Sequence, residues 1–218
     1  MREPELVGGK LLRSGGDPRR QGAGLLMLDL CSGLGGASAA MRDRGWRVVR
    51  LDIEGKYGPD VVGDVRSFTW GGVRPDLVWA SPPCIEFSRE SRAWTATHRL
   101  PDFSLVGGCL RVIRECKPRF WILENVKGAV RWFGPPQAIV GAFYLWGRFP
   151  MLGSVRGSSW KAKRQRPDDA AWRAAIPYRL SWCVARAVEL QLELPLEPIA
   201  QVADLLVKML LDSGWESG

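Results

Sequence analysis

Three stretches of this chain carry side chains able to do chemistry, and each falls where a short apolar run ends. The first is Asp29-Leu30-Cys31-Ser32-Gly33-Leu34-Gly35-Gly36. A glycine-rich turn between the run Leu25–Leu30 and the helix-like segment Ala37–Arg44 offers backbone N–H groups and a helix N-terminus to a ligand. The second is Asp52-Ile53-Glu54, whose aspartate lies 19 residues past Gly33. That spacing is where α/β folds hydrogen-bond a ribose. The third is Ser81-Pro82-Pro83-Cys84, in which two prolines fix the backbone and hold the thiol rigidly at the end of the run Asp76–Ala80. Taken alone, the first reads equally as a tight turn and the third as an inert buried thiol. Asp64, in the run Val61–Val65, could accept a hydrogen bond from an adenine amino group, but on its own reads rather as a loop residue or helix cap.

An alternation of short apolar runs and helix-like segments must position these residues. Leu25–Leu30, Trp46–Leu51, Val61–Val65, Asp76–Ala80 and Phe120–Leu123 read as strands. Phe103–Cys116 reads as a helix with Leu105, Val106, Cys109, Leu110 and Ile113 on one face. Strand–helix alternation as far as Glu124 predicts an α/β fold of Rossmann-like type, a mostly parallel sheet with helices on both faces. Further on, Ala142–Leu152 predicts a hairpin strand and Pro177–Leu190 a helix. Pro198–Leu211 predicts an amphipathic helix. Ile85–Pro101 lacks periodicity and reads as a mobile basic loop carrying Arg89, Arg92, His98 and Arg99. Gly153–Asp169 is a short polar, basic segment with Arg156, Lys161, Lys163, Arg164 and Arg166. The division expected is a basic N-terminal arm at 1–24, a main domain at 25–195, and a C-terminal helix at 196–218 packing on it. Eleven tryptophans spread along the chain read as core filler.

Composition narrows the class. A chain of 218 residues with 46% hydrophobic and 25% charged residues suits one globular core. Its net charge of +8 favours a polyanionic partner, nucleic acid first. Five cysteines without a C-x-x-C pair, and one histidine, argue against a zinc site and against a disulfide framework. No run approaches membrane-spanning length and no signal peptide is visible, so a cytoplasmic location is expected, or a host cell's cytoplasm for a phage-encoded protein.

Asp29 to Gly36, Asp52 to Glu54, Asp64, Pro83-Cys84 with Phe87-Ser88, and Glu124-Asn125-Val126 occur in an order that resembles the DNA cytosine-5 methyltransferases. The resemblance covers roughly the first two thirds of the chain, and is to small phage or prokaryote-type members with little or no target-recognition domain. It implies the S-adenosylmethionine-dependent methyltransferase fold, with 25–195 as its catalytic domain. It also implies transfer of a methyl group from S-adenosylmethionine to C5 of a cytosine flipped out of DNA. On that pattern Cys84 adds to C6 as a thiolate and makes C5 nucleophilic, while Glu124 meets N3 of the ring. Asp29, Ser32, Gly33, Gly35 and Gly36 would bracket the methionine part of the cofactor. Asp52 would hold the ribose, Ile53 pack on adenine and Asp64 contact its amino group, with Ser81 and Pro83 completing the pocket. Ser88, Arg89, Arg92, Asn125, Arg148, Lys163, Arg164 and Arg166 are the candidate DNA contacts.

The chain departs from the family pattern in places. Ile85 stands where a glutamine is usual, and Cys31 where the glycine motif usually has phenylalanine. The arginine-rich motif expected after Glu124-Asn125-Val126 is not cleanly present, leaving Arg148 and Lys163-Arg164-Gln165-Arg166 to replace it. Ile176–Ser181 resembles the helix that closes the cofactor pocket. Only about fifty residues separate Glu124 from Pro177, which predicts phosphate contacts more than base readout, hence a relaxed or short target site. A separate specificity subunit would account for the same shortness. RNA is the alternative substrate, since one branch of the family methylates transfer RNA. An amino-methyltransferase would carry an aromatic residue where Cys84 stands, and a non-catalytic partner subunit would not need the Cys84 and Glu124 pair.

Overall fold

The computed structural model describes residues 24–88, 100–152 and 174–193. The N-terminal arm, Arg89 and Arg92, the basic segment with Lys163, Arg164 and Arg166, and the C-terminal helix expected at 198–211 lie outside the described residues.

Seven strands form one sheet. They are β1 (Leu26–Leu30), β2 (Arg47–Asp52), β3 (Val61–Val62), β4 (Leu77–Ala80), β5 (Phe120–Asn125), β6 (Ala138–Val140) and β7 (Phe143–Arg148), in the order β3-β2-β1-β4-β5-β7-β6. The first five are parallel neighbours, and β7 runs antiparallel to both β5 and β6. β1 and β4 are buried along their whole length, which is why they read as apolar runs, broken only by Asp29, and not as alternating ones. Four α-helices are described: α1 (Ala39–Asp43), α2 (Ser104–Cys116), α3 (Val130–Phe133) and α4 (Tyr178–Glu193). The two faces of the sheet bury separate cores. Met27, Leu77, Trp79, Ile122 and Leu145 pack with Met41 of α1 and with Leu180, Val184 and Val188 of α4. Leu28, Leu30, Val78, Ala80 and Leu123 pack against Val106, Cys109, Val112 and Ile113 of α2. The α/β fold with helices on both faces is therefore as expected.

Several boundaries and faces differ from the sequence reading, each for a local reason. The first helix begins at Ala39 because Ser38 spends its hydroxyl on Asp29 Oδ2 (2.6 Å) and Gly35 O (3.3 Å), keeping the chain in turns before it. β3 ends at Val62, since Asp64 bends the chain by accepting the Arg66 N–H at 2.8 Å. On α2 the buried face is Val106, Cys109, Val112, Ile113 and Cys116; Leu110 is exposed. The tryptophans are not uniformly core: Trp46, Trp79 and Trp146 are buried, whereas Trp182 is exposed.

α4 is tied to α1 by polar groups as well as apolar ones. Ser181, wholly buried, donates to Ala37 O (2.6 Å) and accepts from the Ala40 N–H (3.1 Å). Arg44 and the Trp46 indole both donate to Glu189. The segment leading into α4 also seals the glycine turn, because a Cβ on Gly36 would stand 2.3 Å from Ile176 O. Gly36 is therefore required for close packing of backbone on backbone.

Candidate active site

The order of strands reverses between β1 and β4, and α/β sheets bind ligands outside the carboxyl ends of strands at such a point. The glycine turn follows β1, the Cys84 turn follows β4, and Glu124 lies near the end of β5. All three therefore open onto one edge of the sheet.

The glycine turn is held from below by two charged side chains of β2. Asp52 accepts the Gly33 N–H on Oδ2 (2.7 Å) and the Glu54 N–H on Oδ1 (2.8 Å). Arg50, buried within the strand, donates to Gly33 O (2.6 Å), Tyr57 O (3.1 Å) and Gly58 O (3.1 Å). Asp52 thus organises the turn whether or not a ribose is bound, with lone pairs left for one. Sequence reasoning does not single out Arg50, for which an arginine following two valines inside a strand is the available signal. Ile53 is 63% exposed just beyond Asp52, a bare apolar surface at the place expected for adenine.

The donor set at this turn fits the amino-acid end of S-adenosylmethionine. Asp29 and Ser32 are buried, and neither Asp29 Oδ1 nor Ser32 Oγ has a hydrogen-bond partner among the described residues. Unpartnered buried oxygens are costly, and a ligand bearing an ammonium and a carboxylate supplies what each lacks. Burial pushes the Asp29 carboxyl up to about 7, against the Ser38 hydrogen bond and the charge of Arg50. The space where a Cβ of Gly33 would stand is open, whereas Gly35 has the Arg50 guanidinium against it.

Cys31 sits at φ 55°, in the left-handed region, and its sulfur lies 3.9 Å from that of Cys109 on α2. That shared hydrogen bond and burial push its thiol far up, so Cys31 is a packing residue with no nucleophilic character.

The Cys84 turn is clamped from three sides. Asn125, buried at the end of β5, donates to Pro82 O (3.1 Å) and accepts its neighbour Val126 N–H. Phe87 packs its ring on Phe133 (centroids 5.0 Å apart) and Phe103 (5.7 Å). Gly128 lies so close that an added Cβ would meet Phe87 O at 1.9 Å. Cys84 itself is half-buried and makes no disulfide. Burial, then the charge of Glu124, push its thiol up. Glu124 is buried, and burial pushes its carboxyl up to about 7, with a Ser81 hydrogen bond working the other way. A thiol and a carboxyl that titrates near neutral pH thus share one edge, and the carboxyl's charge bears on the thiol.

Some expected contacts land elsewhere. The Ser81 hydroxyl meets Glu124 and accepts from the Trp79 indole (2.8 Å), so it serves the carboxyl. Asn125 spends its amide on the Cys84 turn. Asp64 is engaged by the Arg66 guanidinium, and that ion pair holds its carboxyl low. Arg148 is the clear correction: because β7 runs antiparallel, Arg148 pairs with Trp121 at the opposite end of β5 and donates to Pro118 O (2.7 Å). It does not face the site. Pro83 is exposed and Ser88 half-buried in the same turn as Cys84. Beside that turn opens a groove of about 440 Å³ bordered by Phe87, Gly128, Ile139, Tyr144 and the cations Lys127 and Arg131. Among the described residues no cluster of His, Cys, Asp and Glu could hold a metal, and no helix is long and apolar enough to cross a membrane.

The strand order, with β7 reversed between β5 and β6 and the glycine turn at the switch point, is a Rossmann-like arrangement. The model of the C-5 cytosine-specific DNA methylase family matches residues 25–132, about half of the chain. The chain is 44% identical over 64 residues to the type II methyltransferase M.SacI of Streptomyces achromogenes, a match covering 27% of this chain and 16% of that protein. It is 36% identical over 83 residues to the type II methyltransferase M.AquIA of Picosynechococcus sp., covering 34% and 33%. The chain thus spans a third or less of these curated relatives. Among solved structures it is similar to S. pombe Dnmt2 methyltransferase (20% identity, TM-score 0.33, covering 49% of this chain and 36% of that one). It is also similar to the Entamoeba histolytica methyltransferase EhMeth (14%, TM-score 0.39, covering 60% and 54%).

Proposed function

We propose that this protein transfers a methyl group from S-adenosylmethionine to C5 of cytosine in DNA, with Cys84 as nucleophile and Glu124 as acid at N3. The observation that carries this reading is the pairing of Cys84 and Glu124 on adjacent strand ends. The carboxyl there stays protonated to about neutral pH, beside a thiol whose ionisation its charge would oppose. The family match adds the reaction class.

Cytosine C5 is a poor nucleophile until electrons are pushed into the ring. The Cys84 thiol loses its proton to solvent, and a neutral Glu124 removes the repulsion that opposes that loss. The thiolate forms an S–C6 bond, the C5–C6 π pair moves onto C5, and Glu124 gives its proton to N3, so charge does not build up on the ring. S-adenosylmethionine, when bound, supplies an electrophilic methyl group to C5. Loss of the C5 proton to water then restores the double bond and expels the Cys84 thiolate, and N3 returns its proton to Glu124. Asp29, Ser32 and Gly33 would hold the cofactor's amino-acid end, Asp52 its ribose and Ile53 its adenine.

A polyanionic partner suits the net charge of +8. The groove beside Cys84 offers Lys127 and Arg131, with Arg131 also resting on the Trp132 ring (5.2 Å). Contacts of this kind give affinity without sequence information, so we infer a relaxed or short target and binding that weakens steeply with salt. Incubation with labelled S-adenosylmethionine and duplex DNA, single-stranded DNA or transfer RNA, followed by identification of the modified base, tests the reading. 5-Methylcytosine in duplex DNA is the result expected. Label in transfer RNA alone would move the substrate to RNA, and label on an exocyclic amino group would overturn the mechanism.

A further inference from the structure

We propose that Ser81 is a positioning residue for Glu124, its hydroxyl oriented by the Trp79 indole so that it always donates to the carboxyl. Trp79 and Ser81 are two apart on one face at the end of β4, and the Trp79 Nε1–H donates to Ser81 Oγ at 2.8 Å. Ala80 pairs with Leu123 in the β4–β5 register, so the next residues along, Ser81 and Glu124, stand side by side. The Ser81 N–H is bonded to Leu30 O (3.1 Å), which fixes its backbone, and Asn125 holds Pro82 one residue further on.

Hydrogen-bond polarity follows from the inventory of donors. An indole N–H can only donate, whereas a hydroxyl has one hydrogen and two acceptor sites. With one lone pair of Ser81 Oγ taken by Trp79, which itself lies wholly buried and cannot rotate away, the hydroxyl hydrogen is directed at Glu124. A donor aimed at a carboxylate favours its charged form. Ser81 therefore opposes the effect of burial on Glu124. The result is a carboxyl that can both hold and release a proton near neutrality, as an acid that must be recharged in every cycle requires.

Among the described residues, few other groups compete for control of this carboxyl. From β7 its register partner is Leu145, which is apolar, and from the turn after β4 it faces the Cys84 thiol. Three cations on the same side of the sheet are engaged elsewhere: Arg42 with Asp60, and Arg44 and Arg186 with Glu189.

The role in transfer rests on the proposed reading of Glu124 as the N3 acid, but the positioning itself does not. The test is therefore double. Protein labelled with ¹³C at the glutamate carboxyl carbons is titrated by NMR, with the Glu124 signal assigned by its loss in Glu124→Gln. Ser81→Ala should move the Glu124 midpoint up by about 1 pH unit, the size expected for losing one hydrogen bond to a charged group. Ser81→Thr, which keeps the hydroxyl, should restore it. Trp79→Phe should move it in the same direction by less. An unmoved midpoint in Ser81→Ala, or an equal shift in Ser81→Thr, would overturn the proposal. In parallel, the alkaline limb of kcat/KM for methyl transfer should follow the NMR midpoint across the three variants. If the midpoint moves and the limb stays, Ser81 positions Glu124 as proposed, and it is the assignment of Glu124 as the N3 acid that fails.

Discussion

Replacing Glu124 with glutamine should change how stability depends on pH, in a direction set by burial alone. In the folded protein the carboxyl is pushed from 4.5 to about 7. Between those values the folded chain holds a proton that the unfolded chain has released, so stability falls as pH rises through this window and levels off above it. A shift of this size corresponds to about 3 kcal/mol. Glutamine keeps the shape and cannot ionise, so Glu124→Gln loses that slope. Asp29, raised from 3.8 to about 7, contributes a second slope of the same sign, but it is present in both proteins and cancels in their difference. Urea unfolding of both proteins at pH 5 and pH 8 measures the effect. Relative to wild type, the variant should gain about 2.5 kcal/mol on going from the lower to the higher pH. Parallel pH profiles would refute the claim that this carboxyl is held protonated by burial, and with it the assignment of its role as an acid.

Asp29→Asn should flatten the pH dependence of S-adenosylmethionine binding. A cationic ligand favours the ionised carboxyl, so wild-type affinity, read by calorimetry, should fall by up to about tenfold per unit as pH drops below 7. Arg50→Ala frees the carbonyls of Gly33, Tyr57 and Gly58 and should cost roughly 2–3 kcal/mol of stability, seen in urea midpoints, together with weaker cofactor binding. Arg148→Ala should leave DNA affinity unchanged in a salt-titrated binding assay, since the residue lies at the far end of the sheet.

Much of the site was legible because it depends on short-range pattern. Glycines between an apolar run and a helix, an acid at the end of the next strand, and prolines ahead of Cys84 all announce strand ends, and parallel strands bring their carboxyl ends to one edge. What escaped depends on neighbours distant in sequence. The strand of Ser81 says nothing about the register that sets it beside Glu124. The bond from Asn125 to Pro82 is equally hidden, its partner being 43 residues away. Arg148 was misplaced because the reversal of β7 cannot be seen in the run Phe143–Arg148 itself. Arg50 and Gly128 were missed since the carbonyls they meet come from loops whose paths only the fold fixes. Tertiary packing also buries Val112 and Cys116 on α2 and leaves Leu110 exposed, by a rotation too small for periodicity to resolve.

The most direct test of the central claim is covalent capture. DNA containing 5-fluorocytosine cannot lose a C5 proton, so an enzyme that adds a thiolate to C6 remains bonded to it once the methyl has been transferred. Wild-type protein incubated with this DNA and S-adenosylmethionine should give a denaturant-resistant complex, with peptide mass spectrometry placing the bond on Cys84. Cys84→Ser should give none, while still binding the cofactor. Methyl transfer to ordinary DNA with no such complex, or undiminished transfer by Cys84→Ser, would contradict the account.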